Sequence, residues 1–468
     1  MRILIKGGTI VTASEEFQGD VLVEGETIRA VGQQLDLPAD QVIDAAGKYV
    51  LPGGVDQHPH FSALCHVGDQ DTAGYETTDA VVTGGTTTIV DYAPQDPKTG
   101  LLDSIDYRIN VRAKDKACVD FALHGMVTEI MDSIFDEIAQ FPQKGISSIK
   151  IFMAYNGSPL HVDDGTFFRI LECSRRAGVT VFVHAENGEI LDFLRRRCVK
   201  NGQTTPYYHY VSRPPFTEAE AVRRAIYLAG QTDTPLYIAH MTCRPALEAL
   251  LQAKGTGQRV YGETCTHYLT TTKEVLDNPD FDEAAKFVCS PALRDQEDCD
   301  ALWAALNSGL LNAVVSDHCG IDVANLKQVG RTDFTQIPNG APGAADRMHM
   351  IWTEGVAKGR ISRQKFVEIT ATQPAKINGI YPRKGHIAVG CDADLVILDP
   401  DYRGVIRLED NPNGVDYNIY EGREQLGRVE TVLLRGRVVV RDARFVGEYG
   451  QGRFIPAKMY GSCYENRD

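Results

Sequence analysis

No stretch of this chain approaches the roughly 20 consecutive apolar residues of a membrane-spanning helix. Basic charge is also scarce. Lysine and arginine total 48 against 63 aspartates and glutamates, which leaves a net charge of −15. A nucleic-acid-binding protein carries a basic footprint, so that class is excluded. The acidic balance favours solubility and disfavours anionic partners. No low-complexity segment and no period-locked repeat is present, which excludes solenoids and arrays. The 11 cysteines are odd in number and scattered, without a CxxC unit. They read as reduced, buried thiols, with Cys265, Cys289 and Cys319 included as packing residues. The opening MRILIKGGTIVTA has a short apolar run broken by Lys6 and no cleavage pattern, so it does not read as a signal peptide. A cytoplasmic protein is expected.

What is there is a long chain with a large core: 468 residues, 43% of them hydrophobic. Residues 1 to about 50 alternate in short β-like pieces punctuated by Gly, Asp and Glu, which suits hairpins. HIAVGCDADLVILDP and VETVLLRGRVVVRDARFVG repeat that style near the other end. Between them, β-rich runs alternate with amphipathic stretches such as FTEAEAVRRAIYLAG (216–230) and RPALEALLQAKG (244–255). The runs are GGVDQH (53–58), TTTIVDY (86–92), FALHG (121–125), SSIKIFMAY (147–155), VTVFVHAE (179–186), PLYIAH (235–240), RVYGETC (259–265) and LNAVVSDH (311–318). Eight such units predict an α/β fold, a (β/α)8 TIM-type barrel. The expected division is a small β-sandwich domain from 1–52 plus 385–450, a barrel over 53–384, and a tail over 451–468. The tail reads as a surface extension or an arm on a partner subunit.

Polar residues fall at or near the ends of these apolar runs. His58 and His60 close GGVDQHPH, His184 closes VTVFVH, His240 closes PLYIAH, Asp317 closes AVVSD, and Lys150 lies within SSIKIFMAY. Strand C-termini of such a barrel converge on one mouth. Alternate strand residues share a face, so His58 and His60 can point at one ion. Alone, such a pair is as readily a surface or core accident. Lys150 is costly to bury charged between Ile149 and Ile151. It either snorkels out, pairs with a carboxylate, or is neutralised for a task. A neutral lysine reacts with carbon dioxide, and the resulting carbamate has two oxygens able to bridge two cations. Taken together, His58, His60, Lys150, His184, His240 and Asp317 suit two borderline divalent ions, zinc first. Two such ions activate water and polarise a carbonyl.

Further motifs run in order: PGGVDQHPH, GGTTTIVDY, SIKIFMAY, VHAENGEI, TPYYHYVSRP with EAEAVRRAIYLA, GETCTHYL, CSPALR, VSDHC and IPNGAPG. With them the chain resembles the dihydropyrimidinase and D-hydantoinase family of the amidohydrolase superfamily. KGHIAVGCDADLVILDP and LLRGRVVV resemble the superfamily's small sheet domain. The resemblance implies zinc-dependent opening of 5,6-dihydropyrimidines or 5-substituted hydantoins to N-carbamoyl amino acids. It makes His58, His60 and Asp317 ligands of the more buried ion, and His184 and His240 ligands of the more exposed one. It makes Lys150 a carboxylated bridge beside a bridging hydroxide. Tyr155 would steady the oxyanion, Asp317 would act as general acid–base, and the main chains of Ser290 and Asn339 would grip the ring amide. It also implies a homotetramer or homodimer.

The chain departs from that family at Pro59, where threonine is usual between the histidines, and at Ala345, where glutamate is common before this chain's Asp346. The loop segments 61–70 and 156–162 are atypical, with His66 and His161 adding polar groups. Dihydroorotases carry an Arg soon after the paired histidines, but Phe61 and Ser62 follow here, which speaks against that activity. Allantoinase is the nearer alternative. A non-catalytic scaffold of this family lacks the ligand set, which is intact here.

Overall fold

The computed structural model describes residues 1–62 and 72–460. Eight strands form one parallel sheet in chain order: β1 (Gly54–Asp56), β2 (Thr86–Pro94), β3 (Asp120–Met126), β4 (Ser148–Phe152), β5 (Thr180–His184), β6 (Leu236–Ile238), β7 (Val260–Cys265) and β8 (Ala313–Val315). Each coincides with one of the eight apolar runs. Covered on both sides, parallel strands bury both faces, and β4 and β5 are buried at every residue. The stretches expected as helices are helical at Pro215–Thr232 and Arg244–Gly255. Helix Asp164–Ala177 shows how their ends are set. The Asp163 side chain accepts from Thr166 N at 2.9 Å, and Gly178 turns the chain at φ 72°.

The barrel closes by side chains where its first and last strands meet. No ladder joins β1 to β8 among the described residues. Instead Asp56 Oδ1 accepts from Ser316 N at 3.1 Å. Arg347, fully buried, donates from Nη1 to Val314 O at 2.9 Å and from Nη2 to Thr86 Oγ1 at 3.1 Å. Beyond the strand ends, Pro59–His60 pairs in parallel with His318–Cys319. This two-residue ladder draws the histidine pair to Asp317. Pro59 stands opposite His318 in it.

A second, largely antiparallel sheet of nine strands draws on both ends of the chain, from Arg2–Val11 to Tyr49–Pro52 and from Leu395–Val405 to Arg444–Phe445. The two halves meet where Tyr49–Pro52 pairs with Leu395–Val405. Ile3, Ile5, Val21, Val50, Leu395 and Leu433 belong to its apolar cluster. A buried ion network ties this sheet to the barrel. Lys384 Nζ reaches Asp120 Oδ2 at 2.6 Å and Asp394 Oδ2 at 2.7 Å, and Arg435 pairs with the same Asp120.

The described part of the tail packs on the chain's own barrel. Phe121 N donates to Arg453 O at 2.9 Å and Ile455 N to Phe121 O at 2.7 Å. Tyr460 N donates to Gly178 O at 3.1 Å. These partners lie at or just before the starts of β3 and β5, so the tail covers the end of the barrel opposite the site. His66 and residues 461–468 lie outside the described residues.

Candidate active site

The six candidate ligands converge at the C-terminal mouth. Donor atoms of His58, His60 and Asp317 all lie within 4.8 Å of one another. Asp317 Oδ1 stands 3.3 Å from His60 Nε2 and 3.5 Å from His58 Nε2. Lys150 Nζ lies 3.3 Å from His58 Nε2. The His240 ring centre is 4.5 Å from that of His184 and 5.2 Å from that of His58.

Lys150 neither snorkels nor pairs with a carboxylate. It is 1% exposed, and among the described residues no carboxylate lies within 4.0 Å of its Nζ. Its Nζ sits instead 5.2 Å from the Tyr92 ring centre and 5.4 Å from that of Phe152. Burial drives its pKa down to about 8, against the pull of Asp317 and Glu263. The lysine is thereby poised to lose its proton.

Burial also lowers His58, His184 and His240, which keeps these rings neutral, the form that binds a metal. Burial would raise Asp317, but the His60 hydrogen bond and neighbouring histidines outweigh it and hold the carboxylate ionised. Neither ring nitrogen of His240 has a hydrogen-bond partner among the described residues, and its Nδ1 is fully buried. Neutral imidazoles, an ionised carboxylate and an unpartnered buried nitrogen fit divalent ions bound through nitrogen and oxygen.

A supporting layer of residues escaped the sequence reading. His58 Nδ1 pairs with Glu263, which also accepts from Gln57 Nε2 at 2.8 Å. His184 Nε2 lies 2.7 Å from Glu186 Oε2, itself held by Arg213 Nη1 at 2.8 Å. Carboxylates behind ligating histidines fix ring orientation and tautomer. Burial pushes Glu263 up to about 8, whereas the Arg213 guanidinium and the His184 contact pull Glu186 well below the usual carboxylate range despite its burial. The available signal was an acid at the end of an apolar run, in GETC and VHAEN. Tyr92 also went unread, and its ring stacks on His60 at 4.6 Å.

Tyr155 lies over His184, 5.5 Å between ring centres, and burial pushes its phenol up to about 12. Tyr155, His240 and Asp317 share a left-handed backbone, with φ of 63°, 36° and 48°. Such conformations cost about 1–3 kcal/mol each and cluster at functional sites. Ser290 and Asn339 sit on two adjoining segments, joined where Gly340 N donates to Val288 O at 3.0 Å and where buried Lys327 reaches both carbonyls. Ser290 Oγ is buried without a partner among the described residues, and Asn339 is half-buried. Neither side chain hydrogen-bonds the histidines among the described residues. His161 is half-buried, with Nδ1 3.3 Å from Ala154 O.

The amidohydrolase family model matches residues 49–439. D-hydantoinase of Ralstonia pickettii is 44% identical over 460 residues, spanning 98% of this chain and 100% of the relative. D-hydantoinase of Geobacillus stearothermophilus is 42% identical over 470 residues, spanning 100% and 99%. The crystal structure of dihydropyrimidinase from Brevibacillus agri NCHU1002 superposes with a TM-score of 0.95 at 42% identity, covering 98% of this chain and 100% of that one. A strand-end mouth rich in histidine, on a scaffold shared along nearly the full length of such relatives, places this chain in the dihydropyrimidinase and D-hydantoinase family of amidohydrolases, as a hydrolase of cyclic amides.

Proposed function

We propose that the chain opens 5-substituted hydantoins and 5,6-dihydropyrimidines to N-carbamoyl amino acids, with two zinc ions held at the barrel mouth. The observation that carries this reading is the convergence of five nitrogen and oxygen donors around a buried lysine that has no carboxylate partner among the described residues. In it, His58, His60 and Asp317 would hold one ion and His184 and His240 the other, with Lys150, carboxylated, as a ligand to both. The ion pair supplies water activation and carbonyl polarisation.

The chain's own groups do the rest. Asp317 takes the proton of the attacking water and delivers it to the leaving ring nitrogen. Its depressed pKa keeps it in the base form at the start of the cycle. Tyr155 keeps its phenol proton at neutral pH and donates it in a hydrogen bond to the developing oxyanion. Main-chain groups at Ser290 and Asn339 match the donor–acceptor edge of a cyclic amide. Glu263 and Glu186 orient His58 and His184.

The reading includes a cytoplasmic location and an assembly of four or two copies. Exposed Phe193, Phe216, Tyr227 and Leu251, on the helices Gly188–Lys200, Pro215–Thr232 and Arg244–Gly255, support the latter. Among the described residues, no helix is long and apolar enough to cross a membrane.

A kcat/KM panel over dihydrouracil, dihydrothymine, aryl and alkyl hydantoins, allantoin and dihydroorotate tests the substrate. Hydantoins or dihydropyrimidines should lead; a lead by allantoin or dihydroorotate overturns the assignment. Elemental analysis should find about two zinc ions per chain, as a paired-metal hydrolase requires. Lys150→Ala should abolish activity, with partial rescue by short carboxylates; full activity in that variant removes the bridge.

A further inference from the structure

Behind the catalytic donors lies a second cluster. Donor atoms of Cys265, His267 and Asp317 also fall within 4.8 Å of one another. Cys265 ends β7 two residues after Glu263, so both side chains share one face of the strand. His267 follows two residues later in the short helix Thr266–Thr270. Cys265 is fully buried and His267 is 4% exposed. Both ring nitrogens of His267 are buried without a hydrogen-bond partner among the described residues. A buried polar group left without a partner is costly, so an imidazole with two of them is poised for a ligand. The donors facing it are a thiol sulfur and a carboxylate.

We propose that Cys265 Sγ, a His267 ring nitrogen and the Asp317 carboxylate form an additional divalent-cation site that shuts off hydrolysis when a borderline or soft ion is in excess. Sulfur, nitrogen and oxygen donors select zinc or cadmium over magnesium or calcium. Metal bonds of roughly 2.0–2.3 Å put ligand atoms around one ion under about 4 Å apart, so the three donors need close in only slightly. Asp317 can serve both sites because it has two oxygens, and Oδ1 is the one near His58 and His60. The thiol proton passes to solvent as the sulfur–metal bond forms. Inhibition follows because a carboxylate tied to this ion no longer carries the proton to the leaving nitrogen. That consequence rests on the proton role of Asp317 proposed above; binding does not.

The test is a cadmium titration of the zinc-loaded enzyme, read by the thiolate-to-cadmium charge-transfer band in the ultraviolet. The catalytic donors are all nitrogen and oxygen, so cadmium entering there gives no such band. The wild type should develop the band to saturation at one further equivalent, with hydrolysis lost over the same range. Cys265→Ala should keep basal hydrolysis, lack the band and resist inhibition, with Cys265→Ser as a second variant if alanine impairs folding. His267→Asn should weaken cadmium binding at least about tenfold, since even the loss of a group that only supports a ligand costs about 10–100-fold. No band in the wild type, or an unchanged band and inhibition in the Cys265 variants, overturns the site. A saturable band in a wild-type chain that hydrolyses no cyclic amide supports the site and overturns the function instead.

Discussion

At the scale of single residues, the site depends on groups that never touch substrate. Glu263 stands behind His58 and Glu186 behind His184, each buried and each holding one ring. Loss of such a contact weakens metal affinity about 10–100-fold. Glu263→Gln and Glu186→Gln should therefore each weaken one of the two zinc equivalents proposed above by that factor in a chelator competition; unchanged affinity in both would deny them a positioning role. Asp346 bears on stability instead. Burial raises its carboxyl to about 6, against a hydrogen bond from Asn418 at 2.7 Å. The folded chain holds this proton more tightly than the unfolded one. The associated stability is complete below the ordinary carboxyl pKa near 4 and disappears as pH rises through 6. Asp346→Asn removes the penalty of ionising a buried acid. It should gain up to about 3 kcal/mol at pH 8 relative to its effect at pH 4, measured by urea unfolding at both values. An equal effect at the two values would show that Asp346 titrates normally. The acid expected one position earlier, at Ala345, is thus absent, while Asp346 is engaged away from the histidines.

At the scale of elements, the strands present several of the candidate donors on their last residues and just beyond them. β5 ends on His184, while His240 and Asp317 lie two residues past β6 and β8 in left-handed backbone. Ladder hydrogen bonds fix each strand, and the turn that follows aims the side chain inward. At the opposite end, the tail works as a plug. Ile455 is 1% exposed and packs in a cluster with Val55, Val90, Ala122 and Ile380. Ile455→Ala should destabilise the chain by about 2–5 kcal/mol in chemical denaturation, the usual cost of such a cavity. A change under about 0.5 kcal/mol, typical of a surface site, would mean the tail only rests there.

At the scale of the whole molecule, barrel and terminal sheet share buried charge. Lys384 is fully buried between Asp120 at the start of β3 and Asp394 beside the terminal sheet. Removing one partner of such a network leaves charges uncompensated, at about 3–5 kcal/mol. Lys384→Met should lower stability by that order and split a single unfolding transition in two; an unchanged single transition would show that the units are joined by packing alone. The sequence alone determined the eight strands, because parallel strands buried on both faces are read as apolar runs. It also determined the residues at their ends, because polar groups stand out against such runs. It could not determine the closure by Asp56 and Arg347, nor the pairing of His58 with Glu263. Those contacts join residues up to 261 positions apart. No local propensity or period encodes a side-chain hydrogen bond across such a span. Only the closed barrel, which brings all eight strand ends to one mouth, decides which acid stands behind which histidine.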